Sequence, residues 1–345
     1  DGTRWKHERK MILKTLHTQD VHIPVMEHFN TVFTTKGVVD IQQHFARLTL
    51  ALFVEIGCGY YEERASVLDL FGKTFDRVQL HMIERFRRPW WKLERAICSL
   101  LPLPTHERVI SEDMRLLNRQ VTEWVDGGNM RCIVSEIQLQ DGRTELRDLA
   151  FNILLAGRDT TTAALTWAVY ELGSHPKILE RCYEEVDTSL SVGSYLQAVV
   201  KETLRLHPPI PTSTKEARMD DVLPDGTRIP AGTQIAYRPY LFGRSTVLWG
   251  ADAAEFRPER WLEHVDQPSP FQFLSFNAGA RVCAGKRLAL DEIHLILHTL
   301  LDRFHVELLH PHVLPIWKPG VSLQMADGLM VTLNFRGRSP FIKIN

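Results

Sequence analysis

The sequence predicts a mainly α-helical protein with small β-sheets, and three observations lead to this fold class. The first half of the chain carries long runs of apolar residues at helical spacing. The second half contains short β-prone segments separated by prolines and glycine turns. The balance of 44% hydrophobic and 24% charged residues is that of an ordinary globular protein, so fibrous and disordered classes are excluded.

Helical spacing recurs along the first half of the chain. It covers residues 26–33, 38–52 and 65–86, where apolar residues lie three or four positions apart. Residues 145–175 predict a long helix that ends before Pro176, because proline cannot continue a helix. The charged opening of the chain is also helical in character.

Short strands are predicted after the middle of the chain. Turn signals at 225–226 and 231–232, with the β-prone segment TQIAY at 233–237, predict strands joined by tight turns. Residues 284–304 predict a further helix. Residues 321–335 predict a terminal hairpin around an Asp-Gly turn.

Charge and cysteine content bound the function. The net charge is −1 and no lysine-arginine tract dominates, so no nucleic-acid partner is expected. The five cysteines are scattered and odd in number, which favours a reducing compartment over a disulfide framework. No apolar run is long enough for a membrane-spanning helix. The chain opens without a signal peptide or a first methionine, so we expect a fragment or a processed chain.

The segment FNAGARVCAG, at residues 276–285, places Cys283 between a loop and a helix. A helix that begins near Ala284 directs its positive end at the sulfur, which lowers the pKa of the thiol and favours the thiolate. A lone cysteine is more often a buried structural residue. The residues that surround this one argue against that alternative.

This segment resembles the cysteine-ligand loop of the cytochrome P450 superfamily. The resemblance is carried by Phe276, Gly279, Arg281, Cys283 and Gly285. It implies haem b as the cofactor, with the Cys283 thiolate as the iron ligand. It also implies that Arg281 pairs with a haem propionate, and that the two glycines let the backbone bend beneath the flat cofactor.

Two further motifs follow the order of the same superfamily. The stretch KETLRLHPP contains Glu202 and Arg205, which share a helix face, and FRPERW contains Arg260. The resemblance implies a buried network of these three residues behind the cysteine loop, stable only if it is fully hydrogen-bonded. The alternative is a solvated surface pair.

The octamer AGRDTTTA, at residues 156–163, breaks the pattern of a good helix. Gly157 costs about 1 kcal/mol relative to alanine, and consecutive threonines add β-branched crowding. The resemblance implies a groove over the haem, where Ala156 and Gly157 leave room for dioxygen and substrate. Asp159 and Thr160 match the family's acid–alcohol pair, which relays protons. The alternative is a tolerated irregularity of the helix.

The remaining site residues come from the same matching. Trp5 and Arg9 correspond to a WxxxR pair that contacts a haem propionate, and Lys215 matches another basic propionate contact. The expected lining of the substrate pocket is apolar and suits an alkyl chain. Its candidates are Phe151, Leu154, Leu155, Ala156, Ile210, Thr212, Ser213, Gly320, Val321 and Leu323.

The implied activity is that of a monooxygenase, which inserts one oxygen atom of dioxygen into a C–H bond of a lipophilic substrate. Electrons would come from an NADPH-dependent flavoprotein reductase. Two alternatives stay open: a haem-thiolate hydroperoxide isomerase or dehydratase, and an inactive truncated haem-binding remnant. Asp159 and Thr160 favour the monooxygenase, because an enzyme that does not activate dioxygen has no need of them.

Finer resemblance concerns the substrate and the whole protein. Residues 220–262 resemble the eukaryotic fatty-acid ω-hydroxylase branch, which predicts fatty-acid hydroxylation. We expect one domain over residues 1–345. It would form the C-terminal two-thirds to three-quarters of a P450 fold, without the N-terminal part. For the full-length protein, the resemblance implies association with the endoplasmic reticulum membrane, on its cytosolic face, through an anchor that precedes this chain.

Overall fold

Long helices dominate the structure, a computed structural model. It describes residues 2–18, 20–62, 64–85, 88–100, 105–128, 132–134, 146–189, 191–263, 268–318 and 320–337. The mainly α class predicted from the sequence is confirmed.

The helices before the middle of the chain follow the predicted apolar spacing. Residues 86 and 145, at the ends of two predicted helices, lie outside the described residues. The helices are α1 (Thr3–Thr18), α2 (His22–Val32), α3 (Ile41–Cys58), α4 (Ala65–Glu84), α5 (Trp91–Leu100), α6 (His106–Gly127), α7 (Leu146–Ser174), α8 (Pro176–Thr188) and α9 (Ser194–Leu206). As predicted, α7 ends before Pro176, which begins α8 instead.

The second half alternates short strands and short helices before one long helix. The helices are α10 (Pro239–Phe242), α11 (Thr246–Trp249), α12 (Arg260–Glu263) and α13 (Lys286–Arg303). The strands are β1 (Gly37–Asp40), β2 (Ser213–Glu216), β3 (Asp221–Val222), β4 (Arg228–Ile229), β5 (Gln234–Tyr237), β6 (Phe304–Leu308) and β7 (Met330–Phe335). They form three antiparallel sheets, ordered β1-β7-β6, β2-β5 and β3-β4.

Two local predictions were wrong. The segment 38–52 is not one helix: Val38 lies in β1, and Asp40 ends that strand and caps α3 by accepting from the Gln42 N–H. The last segment is not a hairpin either, because β7 pairs with β1 on one side and β6 on the other.

The turn before β7 explains this pairing. Gly328 has φ +71°, and a Cβ there would lie 2.3 Å from Oδ2 of Asp40. The Asp40 carboxylate also accepts from the Leu329 N–H at 3.1 Å. The turn therefore docks on the end of β1, and this brings β7 beside a strand that is distant in sequence.

The core centres on the contact between α3 and α7, where buried apolar residues of both helices meet. Thr49 of α3 and Thr162 of α7 share a hydroxyl–hydroxyl hydrogen bond of 2.9 Å. Gly157 provides the closest approach, because a Cβ there would lie 2.1 Å from Cζ of Phe53. This packing fixes the rotation of α7 about its own axis, and with it which residues of the octamer AGRDTTTA point away from the core. Within the described parts of the chain, no helix combines the length and apolar character that crossing a membrane requires.

Candidate active site

A cavity of about 850 Å³ lies between the middle of α7, the 276–285 loop and the start of α13. Its volume is within the range of about 300–1,000 Å³ that is usual for ligand and cofactor pockets. Most of its lining is apolar. The loop and α13 contribute Phe276, Arg281, Cys283, Ala284, Gly285, Leu288, Ala289 and Ile293.

The Cys283 side chain faces this cavity. It is exposed, whereas Cys58, Cys132 and Cys182 are buried. The Cys283 N–H donates to the Phe276 carbonyl at 2.8 Å, which closes the loop ahead of α13. Burial raises the pKa of the Cys283 thiol. The Gly285 backbone N–H and the charges of Arg9 and Lys286 lower it in part, but the pKa stays above its ordinary value. The expectation of a lowered thiol pKa is therefore not met, because desolvation by the surrounding chain outweighs these groups.

The two glycines of the loop serve different ends. Gly279 has φ +67°, a backbone conformation that favours glycine. Gly285 has φ −88°, which other residues adopt, so the predicted bend does not require a glycine there. A Cβ on Gly285 would meet no atom within 4 Å. Its missing side chain therefore leaves clear space beside the thiol.

Cationic and aromatic side chains of α1 lie against the same loop. Nη2 of Arg9 donates to the Val282 carbonyl at 2.6 Å, and the Arg281 guanidinium lies 3.6 Å from the Trp5 ring centroid. Arg281 itself lines the cavity. Lys215 is exposed on β2, with Nζ 5.7 Å from the ring of Tyr237, a cavity residue. An open thiol, clear space at its flank and nearby guanidinium groups fit haem and its two carboxylates.

Asp159 and Thr160 both line the cavity, on α7. Thr160 Oγ1 donates to the Ala156 carbonyl at 2.5 Å, so its lone pairs stay available to a hydrogen-bond donor. Oδ1 of Asp159 accepts from Arg158 at 2.8 Å, and Oδ2 accepts from Gln79 at 2.6 Å. Burial raises the pKa of Asp159, while these two partners lower it.

The partners of Asp159 connect α7 to α4. Nη1 of Arg158 also donates to Asp76 at 2.7 Å, and Asp76 and Gln79 are three residues apart on α4. Sequence reasoning missed all three residues. Arg158 lies inside the quoted octamer and could have been found there. The pairing with Asp76 and Gln79 joins residues about eighty positions apart and has no local signature.

Gly157 differs from its predicted role. The Phe53 ring of α3 fills the space above its Cα, and both residues line the cavity. Because Gly157 has no Cβ, the Phe53 ring can pack directly against its Cα. The space left on the cavity side lies at Ala156 and Thr160.

Glu202, Arg205 and Arg260 form the predicted network behind the loop. Glu202 accepts from Arg205 at 2.7 and 2.8 Å, from Nε of Arg260 at 2.9 Å and from the Trp261 indole at 2.9 Å. Arg205 also donates to the backbone carbonyls of 243, 253 and 255. The Glu202 and Arg205 side chains have no exposed surface and Arg260 has 2%. The surface-pair alternative does not describe this network.

The predicted substrate pocket divides into two groups. Leu155, Ala156, Ile210, Ser213 and Val321 line the cavity. The other candidates do not line the cavity: Phe151, Leu154, Thr212, Gly320 and Leu323.

Helix phase and backbone pairing explain these exclusions. Leu154 is completely buried in the core because it lies on the opposite face of α7 from the cavity residues Asn152 and Leu155, and Phe151 packs against the same core. Leu323 is buried. Its N–H donates to the Pro209 carbonyl, and its own carbonyl accepts from the Trp167 indole N–H. Thr212 and Gly320 are exposed. Reasoning from sequence also missed lining residues from distant elements, including Ile12, Leu16 and Phe53.

Comparison with known proteins identifies the same family as the motifs at this site. A family model described as Cytochrome P450 matches residues 1–330. Cytochrome P450 94C1 of Arabidopsis thaliana is 29% identical, over 97% of this chain and 74% of its own length. Cytochrome P450 704B1 of the same plant is 30% identical, over 97% and 79%. Cytochrome P450 94A2 of Vicia sativa is 31% identical, over 89% and 68%.

Proposed function

The chain belongs to the cytochrome P450 family, and from this premise we propose that it hydroxylates fatty acids at or near the methyl end. As a member of the family, it is a haem-thiolate monooxygenase that uses haem b, with electrons from NADPH supplied through a reductase. The substrate, NADPH, a proton and dioxygen yield the alcohol, NADP⁺ and water. Haem supplies the redox centre for this reaction.

Cys283 is the residue that would bind the haem iron through its thiolate. The observation that carries this assignment is the side chain's exposure to the cavity beside Gly285, with the loop closed behind it. Arg9 and Lys286 support the thiolate electrostatically. Arg281 and Arg9 are the proposed partners of the haem carboxylates. Trp5 positions Arg281 by cation–π contact, and Lys215 is a further candidate at the β2 edge.

Thr160 and Asp159 are the proposed proton-handling residues. The Thr160 hydroxyl faces the cavity and can accept or pass a proton there, because its own proton reaches only the helix carbonyl of Ala156. Asp159 lies one residue earlier on the same cavity wall. Its hydrogen bonds to Arg158 and Gln79 fix the orientation of the carboxylate.

The fatty-acid class is supported by two observations. The cavity is apolar along α7 and α13, and each buried methylene of an alkyl chain contributes about 0.8 kcal/mol. Residues 220–262 resemble the fatty-acid ω-hydroxylase branch, although Tyr237 and Pro239 are the only residues of this region that line the cavity. Terminal attack requires a narrow slot that holds the methyl group in place. Leu155 and Val321 are the proposed walls of that slot.

The partner and the location form part of the same proposal. The redox partner is a reductase, and we propose the NADPH-dependent flavoprotein type. The resemblance to a eukaryotic branch supports a full-length protein on the cytosolic face of the endoplasmic reticulum membrane. One continuous cluster of buried side chains, with members from α2 to β7, supports a single domain.

A substrate panel tests the proposal. The reductase-reconstituted enzyme is incubated with fatty acids of increasing length, with sterols and with aromatic compounds. The position of each new hydroxyl is then found by mass spectrometry. We expect substrate-binding shifts of the haem spectrum with fatty acids and hydroxylation at or near the methyl end. Turnover confined to sterols or aromatics, with no fatty-acid shift, removes this substrate class and leaves the monooxygenase activity intact.

A further inference from the structure

Three side chains that can bind a metal come together outside the cavity lining, where the end of α4 meets the start of α6. They are His81 and Glu84 in the last turn of α4 and His106, the first residue of α6. One ligand atom of each lies within 4.8 Å of the other two. We propose that His81, Glu84 and His106 form a binding site for a zinc ion.

An unpaired nitrogen supports the site independently. Nδ1 of His81 is closed off from solvent and has no hydrogen-bond partner among the described residues. It lies 3.4 Å from Oε2 of Glu84, but not in hydrogen-bond geometry. A buried polar atom without a partner is unfavourable. An imidazole lone pair beside a carboxylate oxygen offers two ligand atoms for a cation, and a bound cation would give the unpaired nitrogen a partner.

The donor set selects the metal. Two imidazoles and one carboxylate suit zinc, which then keeps a water in its fourth position. Around a tetrahedral ion with bonds of about 2.0–2.1 Å, ligand atoms lie roughly 3.4 Å apart. His81 and Glu84 are three residues apart on one helix face, and the rings of His81 and His106 meet edge to face at 5.5 Å between centroids. The three ligand atoms can therefore close around a zinc ion by rotation of their side chains, without rearrangement of the helices.

Arg88 competes for the same site. Its Nη2 lies 3.2 Å from Nε2 of His106 and donates to it, so the guanidinium blocks one lone pair and adds a positive charge. Neighbouring charges are otherwise engaged. Arg85 pairs with Glu107 at 2.6 Å, and Glu94 accepts from the His106 backbone N–H at 3.0 Å. Removal of Arg88 is therefore expected to strengthen zinc binding, an effect that nonspecific association does not predict.

The position of the site indicates what zinc does. An ion at this point joins the last turn of α4 to the first residue of α6, across the 85–105 connection that contains α5. Such a link closes a loop of about twenty residues and stabilises the folded chain by mass action. The site is separate from the cavity, so this proposal does not depend on the proposed substrate.

Zinc binding to the tag-free holoenzyme tests the proposal. Zinc chloride is titrated against a chelating dye, and the thermal unfolding midpoint is measured with and without the ion. We expect one zinc per chain and a higher midpoint. His81→Ala and His106→Ala should each weaken binding more than about 100-fold and remove the rise in midpoint. Arg88→Ala should tighten binding by about threefold to tenfold at low salt.

His22→Ala provides the matched control, because His22 is an exposed histidine at the start of another helix. Its zinc affinity should equal that of the parent protein. The ferrous–carbon monoxide spectrum of each variant verifies that the haem domain is folded. Equal zinc affinity of His106→Ala and the parent protein overturns the proposal, as does a parent protein that binds no zinc at submillimolar concentration.

Discussion

The side-chain amide of Gln79 donates to Oδ2 of Asp159 at 2.6 Å and so ties α4 to the cavity wall of α7. The other carboxylate oxygen is held by Arg158, which also bonds Asp76 of α4. Two residues on one face of α4 thus fix the orientation of an acid that lines the active-site cavity. This arrangement makes α4 a support for Asp159 and Thr160, the residues proposed to handle protons.

Loss of the Gln79 amide should disturb that support. In Gln79→Ala, Asp159 loses a charge-assisted hydrogen bond, an interaction that contributes about 1.5–3 kcal/mol. We expect normal haem content and substrate binding, but a severalfold lower yield of product per NADPH consumed. Gln43→Ala, at an exposed glutamine of α3, provides the control. Full coupling in Gln79→Ala would contradict the support role.

The Thr160 hydroxyl should be needed for coupled turnover. In Thr160→Ala the cavity wall loses the group that can pass a proton, and reducing equivalents should leave as hydrogen peroxide or water. Thr160→Ser keeps the hydroxyl and should retain most of the coupling. The measurement is the ratio of product to peroxide at saturating substrate. Equal ratios in the alanine variant and the parent enzyme would exclude the proton-handling role.

Glu202 should be indispensable to the fold. In Glu202→Ala, Arg205 and Arg260 lose the buried carboxylate that they share, and only Arg260 keeps another one, Asp252 at 3.3 Å; the expected cost is about 3–5 kcal/mol. We expect misfolded protein without haem. Glu263→Ala removes an exposed partner of Arg257 and should change the free energy of unfolding by less than about 1 kcal/mol. Denaturant unfolding of both variants tests this, and wild-type stability in Glu202→Ala would show that the network is dispensable.

Glu292 should make stability fall as the pH rises. The carboxyl group is fully buried on α13 without hydrogen-bond partners among the described residues, and burial, with Asp291 beside it, raises its pKa to about 8. In the unfolded chain the group ionises near its ordinary value. Its contribution to stability is therefore complete at low pH and is lost as the pH rises towards 8, at about 1.4 kcal/mol per pH unit.

The comparison with Glu292→Gln isolates this titration, because all other groups are shared. The free energy of unfolding of the variant, minus that of the parent, should increase steadily between pH 5 and pH 8. The measurement is urea unfolding at intervals of half a pH unit. A constant difference over this range would mean that Glu292 titrates normally in the folded protein.

The sequence predicted those features that are encoded locally. The loop around Cys283, the Glu202–Arg205 pair and the long helix that ends before Pro176 each depend on a few neighbouring residues. Helical spacing also gave the outline of α4 and α7. Short segments of sequence were therefore enough to predict most of the order of the elements and the identity of the motifs.

Features that depend on tertiary packing could not be predicted in this way. The supposed terminal hairpin was wrong because β7 pairs with β1, far away in the chain, where the turn before β7 docks on Asp40, and with β6, the strand that precedes it. Gly157 was assigned to open space, whereas the Phe53 ring from α3 occupies its Cα face. Gln79 carried no motif at all, because its role arises only when α4 lies across α7.

The central claim is that the Cys283 sulfur is the thiolate ligand of the haem iron. The ferrous–carbon monoxide absorption spectrum tests it most directly. The parent protein should show the red-shifted thiolate band, and Cys283→Ser should lose it, while substitution of the buried Cys58, Cys132 or Cys182 should leave it in place. An unchanged thiolate band in Cys283→Ser, or its loss on substitution of one of the buried cysteines alone, would contradict the account.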